Sequence, residues 1–279
     1  MTKNTPSTPN QTDLEVVYQD QSFVAINKPA GLLVHRSAID FHEPRNAQEL
    51  LQAQIEATVY PVHRLDKPTS GVLLFALNRK TAASISLQFQ QHEIRKDYIA
   101  VVRGHTDDKG EIDNPVRDKD APHKKKKEAL TAYSTLAHIT LPVAVDRYPD
   151  TRYSMVCVQP KTGRRHQIRQ HMKHISHPLI GDTSYGKTVH NNFFRQQYAC
   201  SRLLLHAKKL VLNHPDNGSL ITLEASYDMQ FKRVADLNEW QWSNSQTCQH
   251  GIIIAWLDSS AGTRTGSTLT ATNQTCNRR

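Results

Sequence analysis

The sequence predicts an α+β fold with a mixed, mostly antiparallel sheet flanked by helices and loops. Three observations carry this expectation. Short runs of β-branched and aromatic residues outnumber helical stretches, turn formers bound those runs, and the helices fall too irregularly for a βαβ alternation. With 279 residues the chain is long enough for one large domain or two small ones, and 38% hydrophobic content is enough for a real core.

In chain order, "LEVVYQD" (14–20) and "SFVAINKP" (22–29) read as strands joined by a tight turn. A helix follows at 47–57. "HRLDKPTSG" (63–71) is punctuated by Pro and Gly and feeds "GVLLFAL" (71–77), an uncharged run expected to be a buried strand. A helix over 80–93 places Ala83, Leu87 and Ile94 on related faces, and "KDYIAVVRG" (96–104) returns as a strand. Further strands are expected at 130–140, 152–159, 203–212 and 219–225, with helices near 164–175 and 229–240. Residues 1–13 are rich in Pro, Ser, Thr and Asn and are expected to be disordered, as is a tail over 241–279, which leaves 14–240 as the folded domain.

No apolar run approaches the roughly 20 residues of a membrane span, and the N-terminus lacks a hydrophobic export segment, so a soluble cytoplasmic protein is expected. Four scattered cysteines without a C-x-x-C pair fit reduced, structural thiols. The net charge of +9 is concentrated. Between Asp150 and Asp216 stand eleven Lys and Arg against the single carboxylate Asp182, a local charge of +10 that leaves the rest of the chain at −1. A polyanion is the natural partner of such a segment. Residues 117–128, with six cations and three carboxylates, read as a surface loop.

Asp66 stands out as a lone carboxylate at the mouth of a buried strand. It is read either as a turn residue capping backbone N–H groups or, with Arg64 two residues upstream, as a chemical group. "KTGRRHQIRQHMK" (161–173) supplies a helix starting after Gly163, with Arg165 and Arg169 one turn apart and a cationic N-terminus suited to a phosphate or a carboxylate. A carboxylate beside an Arg stays ionised at neutral pH and serves as a nucleophile or a base. Of the histidines at 166, 171, 174 and 177, only His171 and His174 share a helical face, and H-E-x-x-H is absent, so no metal is expected. Neither G-x-x-x-x-G-K-[ST] nor G-x-G-x-x-G occurs, so no nucleotide cofactor is expected. Ser70 lacks a G-x-S-x-G elbow.

"HRLDKPTSG", "RKDYIAVVRG", "KTGRRHQIRQHMKHISHPLIGD" and "RLLLHAKKL", with "NKPAGLLVH" at 27–35, stand in the order and spacing of the RluA-type pseudouridine synthases. The chain resembles that family over nearly all of residues 14–225, and "PVAVDRYPDTRYSMVCVQPKTGRRHQ" looks most like its tRNA-modifying branch, whose target uridine is conventionally numbered 65. The resemblance implies an RNA isomerase of the pseudouridine synthase catalytic fold. It makes Asp66 the nucleophile, places Tyr98 against the target base and pairs Arg169 with the carboxylate. It sets Arg64 in the space left by a flipped nucleotide and Leu204 and Leu205 beside the site. The flanking Lys161, Arg164, Arg165, His166 and Lys173 are expected to contact RNA. With only a dozen residues before the first strand, no N-terminal S4 domain is expected. RNA docking then falls to residues 117–128, "DRYPDTRY" and 187–202, in a protein expected to be monomeric. An enzyme acting on ribosomal RNA, and an inactive RNA-binding protein of the same fold, are the competing readings.

Overall fold

A computed structural model describes residues 13–35, 45–118, 123 and 125–243. The expected disorder of residues 1–12 and of the chain after 243 lies outside the described residues, as does part of the 117–128 loop. Strands β1 (Glu15–Gln19) and β2 (Phe23–Lys28) precede helix α1 (Ala47–Ile55), β3 (Tyr60–Pro61) and β4 (Ser70–Ala76). Helix α2 (Arg79–Gln90) leads to β5 (Arg95–Arg103), β6 (Lys109–Asp113), β7 (Leu130–Leu141) and β8 (Thr151–Pro160). Helices α3 (Gln167–His174) and α4 (Thr188–Tyr198), β9 (Leu205–Asn213), β10 (Leu220–Glu224), α5 (Met229–Ala235) and β11 (Gln241–Trp242) complete the order.

Among the described residues all the strands join one sheet, whose main path runs β1-β2-β4-β9-β5-β8-β7-β11. The pairing is antiparallel throughout except at β4–β9, where Ser70 meets His206 and Gly71 meets Ala207. That parallel contact sets the loop before β4 near β5, which pairs with the other side of β9. Gly71 is required there. Its φ is +112°, and a Cβ would stand 2.2 Å from the Ala207 carbonyl oxygen. β4 is buried on both faces. Leu73 and Phe75 pack with Val24, Ile26 and Leu51 on one side, while Val72 and Leu74 pack with Ile85 and Leu210 on the other. A third cluster joins Ala100, Val156 and Val158 to Ile168 and Met172 of α3.

The expected mixed, mostly antiparallel sheet is present, with several differences in detail. α2 is capped by Asn78, whose side chain accepts the Thr81 N–H at 2.8 Å. Its buried face is Thr81, Ile85 and Gln88, whereas Ala83 and Leu87 are exposed. Counting apolar residues misplaces this face because the half-polar Gln88 is the residue that reaches inward, donating to the Asn213 carbonyl at 2.9 Å. α3 starts at Gln167 rather than after Gly163. The Gln167 Oε1 accepts from Arg164 N–H at 2.9 Å, and His166 takes a left-handed φ of 53°, so the helix cannot begin earlier. Arg165 therefore precedes the helix and shares no helical face with Arg169. The expected docking region 187–202 is mostly α4, held down by Phe194 and by His190, which meets Tyr153 Oη at 3.0 Å. β6 alternates charges around Ile112, which hides its strand character in sequence, and β11 carries pairing two residues beyond 240. Cys157 and Cys200 are free thiols, and burial with the charge of Asp97 pushes Cys157 up to about 12.

Candidate active site

The loop that carries Asp66 is clamped by its own backbone and by a buried lysine. Thr69 N–H donates to the Asp66 carbonyl at 3.0 Å, closing a turn, and Gly31 N–H donates to the Lys67 carbonyl at 2.8 Å. Lys28, fully buried, donates its Nζ to the carbonyls of Leu32 at 2.8 Å, Pro29 at 2.9 Å and Lys67 at 3.2 Å. Burial, reinforced by the charge of Arg202 and opposed by Asp66, pulls this ammonium down to about 7. Below the loop, Ser70 Oγ contacts His206 Nδ1 at 2.7 Å and accepts from Arg202 Nη2 at 2.8 Å, while Arg202 also pairs with Asp228. These contacts tie the first residue of β4 to β9 and to the start of α5.

The Asp66 side chain is 16% exposed, and Arg169 Nη1 lies 3.4 Å from its Oδ2. The stronger partner of Arg169 is Asp182, which accepts from Nε at 2.7 Å and Nη2 at 2.8 Å. Asp182 also accepts from the N–H groups of Ser184 at 2.8 Å and Tyr185 at 3.0 Å. Burial raises its carboxyl, but the Arg169 guanidinium and those two N–H groups outweigh it and hold the group below the usual carboxylate value. The arginine is thus fixed by one carboxylate and presents its free edge to the other. His166 Nε2 stands 3.8 Å from Asp66 Oδ2, too far for a hydrogen bond, and its Nδ1 meets Tyr185 Oη at 3.1 Å. Burial, with the charges of Arg169 and Arg165, pulls His166 below the usual histidine value against the pull of Asp66.

Tyr98, on β5, packs between two of the core clusters and lines the same cleft. Burial and then the negative charge of Asp66 raise its hydroxyl above the ordinary tyrosine value, so the ring enters neutral chemistry as a phenol. The cleft encloses about 610 Å³ and gathers Asp66, Tyr98 and Arg169 with Arg64, Arg164, Arg165, His166 and Leu205. Arg64 is exposed at its edge. Arg164 donates to the Glu128 carbonyl at 3.1 Å, and Arg165 meets Asp118 at 3.1 Å.

Two of the expected RNA contacts stand apart from the cleft lining. Lys161 is exposed beside it, and Lys173 lies over the Tyr185 ring with Nζ 5.9 Å from its centre. The eleven cations also do not form one surface. Arg169 and Arg202 are buried in ion pairs, Lys209 meets Glu224 at 3.2 Å and Lys187 meets Asp146 at 3.1 Å. Leu204 is core, and only Leu205 reaches the cleft. His171 is buried, hydrogen-bonded at Thr131 Oγ1 and the Asn114 carbonyl, while His174 is exposed. Residue typing missed the supports, Lys28, Ser70, Arg202 and Asp182. One of them carried a signal, since Asp182 is the only carboxylate in the basic segment and a solitary charge of that sign there implies a buried partner.

Residues 22–174 match the family model described as RNA pseudouridylate synthase. The chain is 44% identical over 239 residues to a tRNA pseudouridine synthase C of Haemophilus ducreyi, covering 83% of this chain and 98% of that protein. It is likewise 44% identical over 239 residues to a tRNA pseudouridine synthase C of Haemophilus influenzae, covering 83% and 99%. Among solved structures, human RNA Pseudouridylate Synthase Domain Containing 1 superposes with a TM-score of 0.65 at 25% identity, over 87% of this chain and 96% of that one. Human RNA Pseudouridylate Synthase Domain Containing 4 shares the fold, with a TM-score of 0.61 at 22% identity over 82% and 95%.

Proposed function

The chain belongs to the RNA pseudouridylate synthase family and is an isomerase, and from that premise we propose that it converts one uridine of tRNA to pseudouridine with Asp66 as the nucleophile. One observation carries the reading of the site: a carboxylate backed by a fixed guanidinium, Asp66 at 3.4 Å from Arg169, lies in a cleft edged with cations and floored in part by an aromatic ring. The tRNA substrate is supported by the activity for which the relatives are named, and uridine 65 is the position we assign.

The isomerisation breaks N1–C1′, turns the uracil and joins C5 to C1′, while a proton leaves C5 and one is gained at N1. Atoms and charge balance without oxidant or cofactor. Asp66 serves as an ionised group by attack at C1′, by attack at C6, or by removing a ribose proton to give a glycal. The target atoms are inaccessible in a stacked helix, so the nucleotide is flipped into the cleft at a cost of a few kcal/mol. Tyr98 stacking on uracil returns about 1–3 kcal/mol. Arg64, which has no ion pair or hydrogen-bond partner for its side chain among the described residues, is placed to enter the space the nucleotide leaves, and Arg164 and Arg165 to meet phosphates. The protein acts as a monomer in the cytoplasm, with no nucleotide cofactor.

The test is to incubate the purified protein with unmodified tRNA and ribosomal RNA transcripts, without metal or nucleotide, and to map pseudouridine. Product at one tRNA uridine, position 65, is expected. Product in ribosomal RNA alone would replace the tRNA assignment, and product in neither would sink the enzymatic reading.

A further inference from the structure

The wall of the cleft also holds His63, Phe89 and Lys96, which the chemistry above leaves unused. Lys96 precedes Tyr98 by two residues on β5 and both line the cleft, so the two side chains stand on one face of the strand, about 7 Å apart along it. Asp97, between them, is turned to the other side, where it meets Arg95 at 3.0 Å and Gln159 at 2.8 Å. Lys96 is half-buried, and among the described residues no carboxylate or hydrogen-bond acceptor meets its ammonium. Burial pulls the Lys96 ammonium below the usual lysine value, and the like charge of Lys161 adds to that. A half-buried cation with a like charge nearby and no acceptor among the described residues opposes folding, and it suits an anion supplied from outside.

The neighbouring groups suit a nucleotide. His63 stacks on Phe89 with ring centres 4.8 Å apart and 24° between planes. Its Nε2 accepts the Leu74 N–H at 2.9 Å, which leaves the ring proton on Nδ1 as a donor. Burial, with Lys96 alongside, pushes His63 down to about 3, so it is a neutral donor beside a cation. We propose that Lys96, His63 and Phe89 form a subsite for an RNA phosphodiester adjoining the target uridine, so that the substrate's own backbone supplies the counter-charge of Lys96. This rests on the reading of the cleft as an RNA isomerase site.

The test pairs one variant with one chemical change in the substrate. Lys96→Met is expected to raise KM for the tRNA transcript about tenfold with kcat within about twofold, the pattern of a contact made equally in ground and transition states. The salt slope of binding should fall by about 0.7–0.9, as for one lost phosphate contact. Its melting temperature should equal or exceed that of the wild type, because a half-buried charge with no partner among the described residues has gone. With the unaltered protein, single methylphosphonate linkages on either side of the target uridine should locate one phosphate whose neutralisation weakens binding. That same change should be silent in Lys96→Met. Unchanged KM and salt slope, a lowered melting temperature with normal binding, or no sensitive phosphate would each overturn the subsite. A wild-type protein that forms no pseudouridine in tRNA or ribosomal RNA would instead remove the reading on which it rests.

Discussion

Asp182 and Arg169 form a buried bidentate ion pair, at 2.7 and 2.8 Å, that leaves only one guanidinium nitrogen for Asp66. The pair fixes the plane of the arginine, and the arginine in turn fixes where negative charge on Asp66 is stabilised. Asp182→Asn should lower stability by about 3–5 kcal/mol, the cost of leaving one member of a buried pair uncompensated. Denaturant unfolding measures this, and a loss below about 1 kcal/mol would show that the pair is not what holds Arg169.

Asp66→Asn keeps shape and removes the charge. Turnover on tRNA should fall by at least about a thousandfold while RNA affinity changes less than about threefold, because the many cations bind and the one carboxylate reacts. Single-turnover assays and a binding titration separate the two. Substantial residual activity would remove Asp66 from the nucleophile role.

Arg64 and Arg165 differ in their resting partners, which predicts different responses. Arg64→Gln should reduce the salt slope of RNA binding by about 0.7–0.9. Asp118→Asn should tighten binding, because Asp118 holds Arg165 at 3.1 Å in the free protein and competes with phosphate. Weaker binding by that variant would mean that Asp118 serves the RNA-bound state.

Stability should fall as pH drops from about 6.5 towards 4. Burial, aided by the charge of Arg202 against a hydrogen bond to the Ala225 carbonyl, pushes His206 down to about 3. Between these values the unfolded chain binds a proton that the folded one does not, so the contribution is complete above about 6.5 and is lost as acid is added. His206→Gln should flatten the dependence of melting temperature on pH over this window. Asp182, held low, adds a second loss only below about 3.9, the ordinary carboxylate value.

Gly71→Ala should cost about 3 kcal/mol or more, since the new methyl meets backbone on β9 and the residue must keep a positive φ. Thermal unfolding checks this, and a shift of under a degree would mean that the β4–β9 contact yields easily.

Much of the sheet was legible because its strands carry strong local signals: "GVLLFAL" has no charge, and "KDYIAVVRG" clusters β-branched residues between turn formers. Asp66, Tyr98 and Arg169 stand in the motifs singled out in the sequence, and the fold brings all three to one cleft. β6 and α4 were not, since the first alternates charge and the second owes its burial to Phe194 and His190 packing on Tyr153. The α2 face failed for the same reason, a polar residue buried through a distant carbonyl.

By itself the sequence determined that a lone aspartate stands at the entry to a buried strand, in a chain whose excess positive charge sits in one segment. Local residue types suffice for that. Tertiary structure alone decided which cations remain available: Arg169 and Arg202 are consumed in buried pairs, Arg165 is held by Asp118, and Lys96 faces the cleft with no counter-ion among the described residues. Charge is a property of the residue, but its availability depends on partners as far apart in the chain as Arg165 and Asp118, and only the closing of the sheet brings them together.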